Sequence, residues 1–287
     1  MKSIDITFTG TGPGSQPLEA DGAQLEYMQL PGEMQTFVPP VLPEPEEIEG
    51  CEAALELLDK LLSAAKVFDQ QGRAQQFDLS GFDQTNRTLI DQVLGEGEVS
   101  VRFHNPEDLR IQESVLAGIW RVQHLDAQGR VVKDLIEIGA VPAVLLSEVF
   151  SEGRRTIQAA SAEQAEVLLN APSLLVELAD KVAAYQPGDE PHVINLTLLP
   201  HSPEDLEHLD TSLGAGRVAI LSRGYGNCRI TSTGITHVWW VQFFNSTDVI
   251  ILNTIEVVDV PLVAKASRED IQDSAQRLEE ILAVYQQ

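Results

Sequence analysis

The residues with the strongest claim to chemistry lie in one stretch, Ser222-Arg-Gly-Tyr-Gly-Asn-Cys-Arg-Ile230, followed by Val238-Trp-Trp-Val-Gln-Phe-Phe-Asn245. Cys228 is a candidate nucleophile. It follows a glycine-rich turn and precedes Arg229, and a neighbouring guanidinium lowers a thiol's pKa. His237 stands nine residues on, across a prospective hairpin, and a Cys–His pair is the usual form of an activated thiol. Three readings of Cys228 stand side by side: a small buried strand residue, a partner-facing or transient-ligand thiol, and an enzyme nucleophile. Tyr225, Asn227, Arg229, Trp240 and Phe244 join Cys228 and His237 as a candidate partner-binding set, because aromatic and arginine anchors carry most interface energy.

The sequence carries no other recognisable catalytic or metal-binding signature. There are six histidines; none sits at zinc spacing from a cysteine, and there is no HExxH. His201 and His208 are seven apart on one prospective helix face among acidic neighbours, which reads as a solvated face. Ser222-Arg-Gly-Tyr-Gly226 lacks the GK[ST] ending of a phosphate loop. Gly10-Thr-Gly-Pro-Gly14 follows no strand, and its proline would block a helix start, so the dinucleotide reading fails. No GxSxG elbow occurs. The expectation is a non-enzyme with no catalytic residue, no metal site and no cofactor.

Composition narrows the class further. The chain has 287 residues, 44 acidic against 19 Lys and Arg, and a net charge of −25. Such a balance opposes nucleic acid and anionic membrane surfaces and favours a basic partner. Two cysteines, Cys51 and Cys228, exclude a disulfide scaffold and fit a reducing compartment. The opening residues show no apolar signal segment, and no run approaches the ~18 apolar residues of a membrane span. A cytoplasmic protein is expected.

The elements that must position these residues are written twice. Residues 1–50 form an extended acidic leader with six Gly, seven Pro and nine acidic residues against one lysine. Its Leu25, Tyr27, Met28, Leu30, Met34 and Phe37 suit a segment that drapes over its own domain, or a partner-binding arm. Beyond it, a shift of 119 residues lays the chain on itself without a gap, with 14 identities over the 51 positions 94–144. Leu94-Gly-Glu-Gly-Glu-Val99 lies over Leu213-Gly-Ala-Gly-Arg-Val218, Arg110-Ile111 over Arg229-Ile230, Trp120 over Trp239, and Val141-Pro142 over Val260-Pro261. A period this long is a whole lobe copied once.

Each lobe reads as α/β with a mixed sheet. Leucines at 55, 58, 61 and 62 mark a helix over 52–65, and Asp83 is the expected N-cap of a second helix ending at the GxG of 95–97. Strands are expected at 98–103, 109–114, 117–125 and 130–139, with a turn at Gln128-Gly129. The second lobe repeats them, with a helix over 173–185, strand 193–199, a Ser202-capped helix, and strands at 217–222, 228–233, 236–244 and 248–257. A helix from Ser267 to Tyr285 closes the chain. The expected organisation is leader 1–50, first lobe 51–150, linker helix 151–172 and second lobe 173–287, the lobes related by a pseudo-twofold axis as in a fused dimer.

The repeat also sorts residues. Those kept in both copies, such as Gly97/Gly216, Trp120/Trp239 and Glu137/Glu256, serve the shared fold. Those in one copy are free to serve that lobe. Trp240 replaces Arg121 and Phe244 replaces Leu125, which leaves the second lobe's strand apolar on both faces. Such a strand is covered on both, by the other lobe or by a partner.

The same segments carry a resemblance. Gly12-Pro-Gly-Ser-Gln-Pro17, Asp21-Gly-Ala-Gln-Leu-Glu-Tyr-Met28, Pro31-Gly-Glu-Met-Gln-Thr-Phe37, Gly224-Tyr-Gly-Asn-Cys-Arg-Ile-Thr-Ser-Thr233 and Val238–Asn245 resemble the HupH/HyaF-type hydrogenase expression/formation proteins over nearly the whole chain. Ile251–Pro261 and the ending from Ser267 to Leu282 fit as well. The resemblance implies an accessory protein of nickel–iron hydrogenase maturation. It would guard the small, iron–sulfur-carrying subunit precursor, with its twin-arginine signal peptide, before export, beside other hydrogenase accessory proteins. The rival reading is a thiol-dependent enzyme, or a transient iron or cluster carrier, that uses Cys228.

Overall fold

The computed structural model describes residues 42–68, 74–104, 108–158, 160–161, 166–224 and 226–285. The leader's residues 1–41 and Tyr225 therefore lie outside the described residues. Helices α1 (Glu52–Lys66) and α2 (Gln84–Leu94) flank the short strand β1 (Gln75–Asp78) and precede a run of hairpins. Those are β2 (Val99–Phe103), β3 (Asp108–Glu113), β4 (Ile119–Leu125) and β5 (Val131–Ile138). After the short α3 (Ala143–Ser147) the order recurs as α4 (Ala171–Ala184), β6 (His192–Asn195) and α5 (Pro203–Leu213). Then come β7 (Ala215–Ser222), β8 (Asn227–Thr233), β9 (Val238–Phe244), β10 (Ile250–Val257) and α6 (Arg268–Tyr285).

Capping explains where the helices start. The Asp83 side chain accepts from Asn86 N at 2.9 Å, and Ser202 with Asp205 forms a capping box around Pro203. The same two positions then tie the helix pairs together. Asn86 Oδ1 accepts from Ala54 N in α1, and the buried Asp205 accepts from the backbone N–H groups of Leu169, Asn170 and Ala171 at the start of α4. Residues 193–199, expected as one strand, divide: β6 ends at Asn195, whose side chain accepts from Thr197 N and starts a 3₁₀ turn over Leu196–Leu198.

All ten strands join one sheet in the order β1-β5-β4-β3-β2-β7-β8-β9-β10-β6. Replace each strand by its partner under the 119-residue shift and the order reads backwards. At the centre β2 pairs with β7, and Val101 faces Ile220, the residue that the shift lays on it. The expectation of a mixed sheet is corrected, since every ladder is antiparallel. The reason is connectivity: β2 to β5 and β7 to β10 are joined by hairpins, and β1 and β6 are carried to the outer edges, away from any parallel neighbour.

One face of the sheet holds a continuous core from Leu109 across Val101 and Ile220 to Val241, with Trp120 and Trp239 fully buried in it. Each indole donates to a backbone carbonyl of the chain leaving its lobe, Gly139 O at 2.9 Å and Val258 O at 3.1 Å. The other face carries two separate helix layers. One packs α1, α2 and α6 on β4 and β5; the other packs α4 and α5 on β6, β9 and β10. Gly97 and Gly216 allow close strand approach, since a Cβ would lie 2.1 Å from Ser114 O and 2.2 Å from Ser232 Oγ.

The ends of the two repeats cross over. α6 packs on α1 of the first half, and Ile271 sits against Gly118. Conversely, the chain leaving the first half enters the second: Arg154 N donates to Gly234 O, and Thr236 N donates to Arg154 O. Of the expected linker helix over 151–172, residues 151–158 are turn and extended chain pinned by these bonds. Residues 159 and 162–165 lie outside the described set.

Candidate functional site

The structure separates the residues that the sequence grouped. β8 runs antiparallel to both neighbours, so consecutive side chains leave opposite faces. Arg229 lies on the helix-bearing face between Leu221 and Gln242, and Asn227 on the same face opposite Phe244. The Arg229 guanidinium stacks over the Phe244 ring at 5.6 Å. Asn227, Arg229 and Phe244 are therefore together and half-exposed.

Cys228 points the other way, into the core beside Val99, Phe243 and Ile230, and is 3% exposed. Burial, with Glu256 nearby, pushes its thiol up to about 12. Arg229, expected to acidify it, projects from the opposite face, so the sulfur is held in the protonated form that is not a nucleophile. The Cys–His pair is not formed. Cys228 faces Phe243, whereas His237 lies in the turn beyond Ser232↔Trp239, four residues along the ladder and so roughly 13 Å away.

His237 instead sits between Phe150, from the end of the first half, and Tyr185 of the second. Its ring lies 5.7 Å from Phe150 and 4.9 Å from Tyr185, centroid to centroid. Nδ1 is 3.3 Å from Asp259 Oδ1 but off the line of a hydrogen bond. Burial lowers its pKa despite the Asp259 carboxylate. Tyr185 Oη accepts from Asp259 N and is pushed up to about 12, chiefly by burial. His237 has a backbone φ of +64°, and the shift lays it on Gly118 at +79°.

Trp240 is 4% exposed beneath α4 and α5, and its indole N–H donates to Asn253 Oδ1. Its cover is the helix pair of its own half, which corrects the expectation of an aromatic surface facing the other lobe or a partner. Position 240 follows the register of Trp240↔Ile255 into the helix layer, whereas Phe244 lies past its end.

Among the described residues, no cluster of three or more His, Cys, Asp or Glu could hold a metal ion, and no helix is long and apolar enough to cross a membrane. Cys51 lines a shallow cleft of about 290 Å³ with Ile48, Thr85 and Leu89, and burial raises its thiol pKa as well.

Comparison with known proteins settles the family. The region described as "HupH hydrogenase expression protein, C-terminal conserved region" matches this chain twice, over residues 51–162 and 168–285. A hydrogenase expression/formation protein HupH of Rhodobacter capsulatus is 50% identical over 98% of both chains. The chain belongs to the HupH/HyaF family of hydrogenase expression proteins. The Escherichia coli hydrogenase-1 operon protein HyaF is 31% identical over 94% of this chain and 93% of its own. A solved structure, a hydrogenase expression protein HupH from Thiobacillus denitrificans, shares 32% identity over 40% of this chain and 95% of its own, with a TM-score of 0.38.

Sequence reasoning missed the surroundings of Arg229. Across the central strands, Arg110 and Arg102 share its face, at Arg102↔Arg110 in the β2–β3 ladder. The shift that lays Arg110 on Arg229 is a usable signal for the first pair member, whereas nothing in the sequence marks Arg102 as their neighbour.

Proposed function

We propose that this chain is an accessory protein of nickel–iron hydrogenase maturation that acts by binding. In this reading it holds the small, iron–sulfur-carrying subunit precursor, with its twin-arginine signal segment, in the cytoplasm before export. The observation that carries the reading is family membership over almost the full chain, with relatives named for hydrogenase expression and formation. A binding role is favoured over thiol chemistry by Cys228, whose sulfur is buried, protonated and without a histidine beside it. The charge of −25 suits a basic signal segment. Other hydrogenase accessory proteins are further partners of the same class.

We also infer that the two halves descend from one duplicated lobe and are related by a pseudo-twofold axis. The palindromic strand order and the twofold family match support this. An experimental structure whose halves fail to superpose would remove it.

The functional test is co-purification with a tagged small-subunit precursor, with and without its signal segment, followed by calorimetry at low and high salt. Capture that needs the signal, and affinity that falls with salt, are expected, because exposed charge attraction is screened beyond about 8 Å at physiological ionic strength. Failure to capture either form would sink the small-subunit reading. Capture that ignores the signal would remove only its finer half.

A further inference from the structure

Among the described residues, the two helix layers do not meet over the middle of their face. The α1, α2 and α6 layer takes its strand contacts from β4 and β5, through Ile119, Ile136 and Ile138. The α4 and α5 layer takes its own from β6, β9 and β10, through Ile194, Trp240 and Ile255. Neither layer counts a buried apolar side chain of β3, β2, β7 or β8 among its members. Directly opposed residues in an antiparallel ladder share a face, so the floor of the gap can be read in rows. One row runs Arg110, Arg102, Ala219, Thr231; the next runs Gln112, Ser100, Leu221, Arg229. Gln123 and Gln242 stand at matching places on β4 and β9.

Arg102 and Arg110 are exposed and Arg229 is half-exposed. Among the described residues, none of the three guanidiniums makes a hydrogen bond or an ion pair, and that of Arg229 is engaged only by the Phe244 ring. Asp108, the first residue of β3, attracts Arg102 without forming an ion pair with it. Burial, then repulsion from Arg110, lowers the pKa of Arg102, and burial lowers that of Arg229. Concentrating three unpaired cations here is costly, and on a chain of net charge −25 it is a local inversion of sign.

The geometry selects the class of anion. From β3 to β8 the strip is three strand spacings wide, roughly 14 Å, too broad for one phosphate to bridge. Nucleic acid is repelled by the rest of the surface. An extended peptide places alternate side chains about 6.5–7 Å apart on one side, which suits carboxylates meeting successive guanidiniums. Gln123 and Gln242 offer amides to its backbone, and Leu221 and Phe244 offer apolar contact.

We propose that this arginine strip is a docking surface for an extended acidic segment of a partner protein, gripped by Arg102, Arg110 and Arg229. It is a second attachment, of opposite charge to a signal-peptide grip and independent of it.

The test uses the full-length protein and a dye-labelled decapeptide of alternating Glu and Phe, read by fluorescence anisotropy. Replacing Arg102, Arg110 and Arg229 together with Gln is expected to weaken binding at least about tenfold, as the loss of three charge contacts implies. The corresponding triple Lys variant should stay within about threefold, since it keeps the charge and loses only the planar fork. Binding that survives the Gln variant unchanged would overturn the proposal. So would equal binding of a peptide with Gln in place of Glu. The chain's own leader is the competing occupant. Neutralising Glu19, Asp21, Glu26 and Glu33 to amides should leave probe affinity unchanged; a tenfold gain would assign the strip to the leader instead.

Discussion

Beneath the helices of the first half, Arg121 is held by Asp134 at 2.7 Å, with Asp91 and Arg87 joining the cluster. At the matching place in the second half, Trp240 stands for Arg121 and Asn253 for Asp134, and the indole donates to the amide oxygen. Both slots are filled by a long planar side chain on the fourth strand, tied to a polar partner on the fifth. One uses full charges, the other a neutral donor and acceptor. The geometry is what the two halves share; the electrostatics are free to differ provided each buried polar group finds its partner.

Breaking each pair should expose that difference. Asp134→Ala removes the acceptor of two part-buried guanidiniums and should cost about 3–5 kcal/mol in chemical denaturation. A loss under about 1 kcal/mol would mean that water replaces the carboxylate at no penalty. A second contrast is Glu113, whose counterpart is Ser232. Burial, with Glu98 and Asp270 adding to it, pushes the Glu113 carboxyl up to about 7 from an ordinary 4.5. The folded chain thus holds a proton that the unfolded chain releases. The stability this proton supplies is complete below about pH 4.5 and lost as pH rises through 7, a fall of about 3 kcal/mol. Glu113→Gln keeps an acceptor for Gly118 N, so its melting temperature should fall less between pH 4.5 and 7.5 than that of the parent chain. Parallel profiles would refute the assignment.

Asn253→Ala, the neutral analogue of the first experiment, leaves the Trp240 N–H without a partner and should cost about 1–3 kcal/mol, less than Asp134→Ala. The reverse order would invert the comparison. Cys228→Ser should have the smallest effect, about 1–2 kcal/mol, and should leave hydrogenase yield in cells intact. Lost yield with an unmoved melting temperature would return Cys228 to the ligand or nucleophile readings.

The hairpins, the caps at Asp83 and Ser202, and the repeated Trp and Gly positions were legible because each depends on neighbours a few residues away. Alternation fixed which face Trp239 and Val241 share, and the matched glycines marked close approach. What lay beyond such reading was long-range. Nothing local says that β2 meets β7, or that α4 and α5 lie over Trp240 and stop short of Phe244. The candidate set suffered for that reason. Cys228 and Arg229 are adjacent in sequence and face opposite layers, while Arg229, Arg110 and Arg102 are distant in sequence and share a floor. Proximity along a strand is a poor guide to proximity at a surface.

The crossing of α6 sets a schedule for synthesis. The apolar side of α1 that begins at Ala54 is finished only by Ile271, Leu278 and Leu282, which leave the ribosome more than two hundred residues after it. At about 5–20 residues per second, that wait is on the order of ten to forty seconds. Through it, the first half carries an unfinished core that holdases and proteases can read. A chain cut short before α6 keeps that mark permanently, so closure of the first half reports that translation has passed α6.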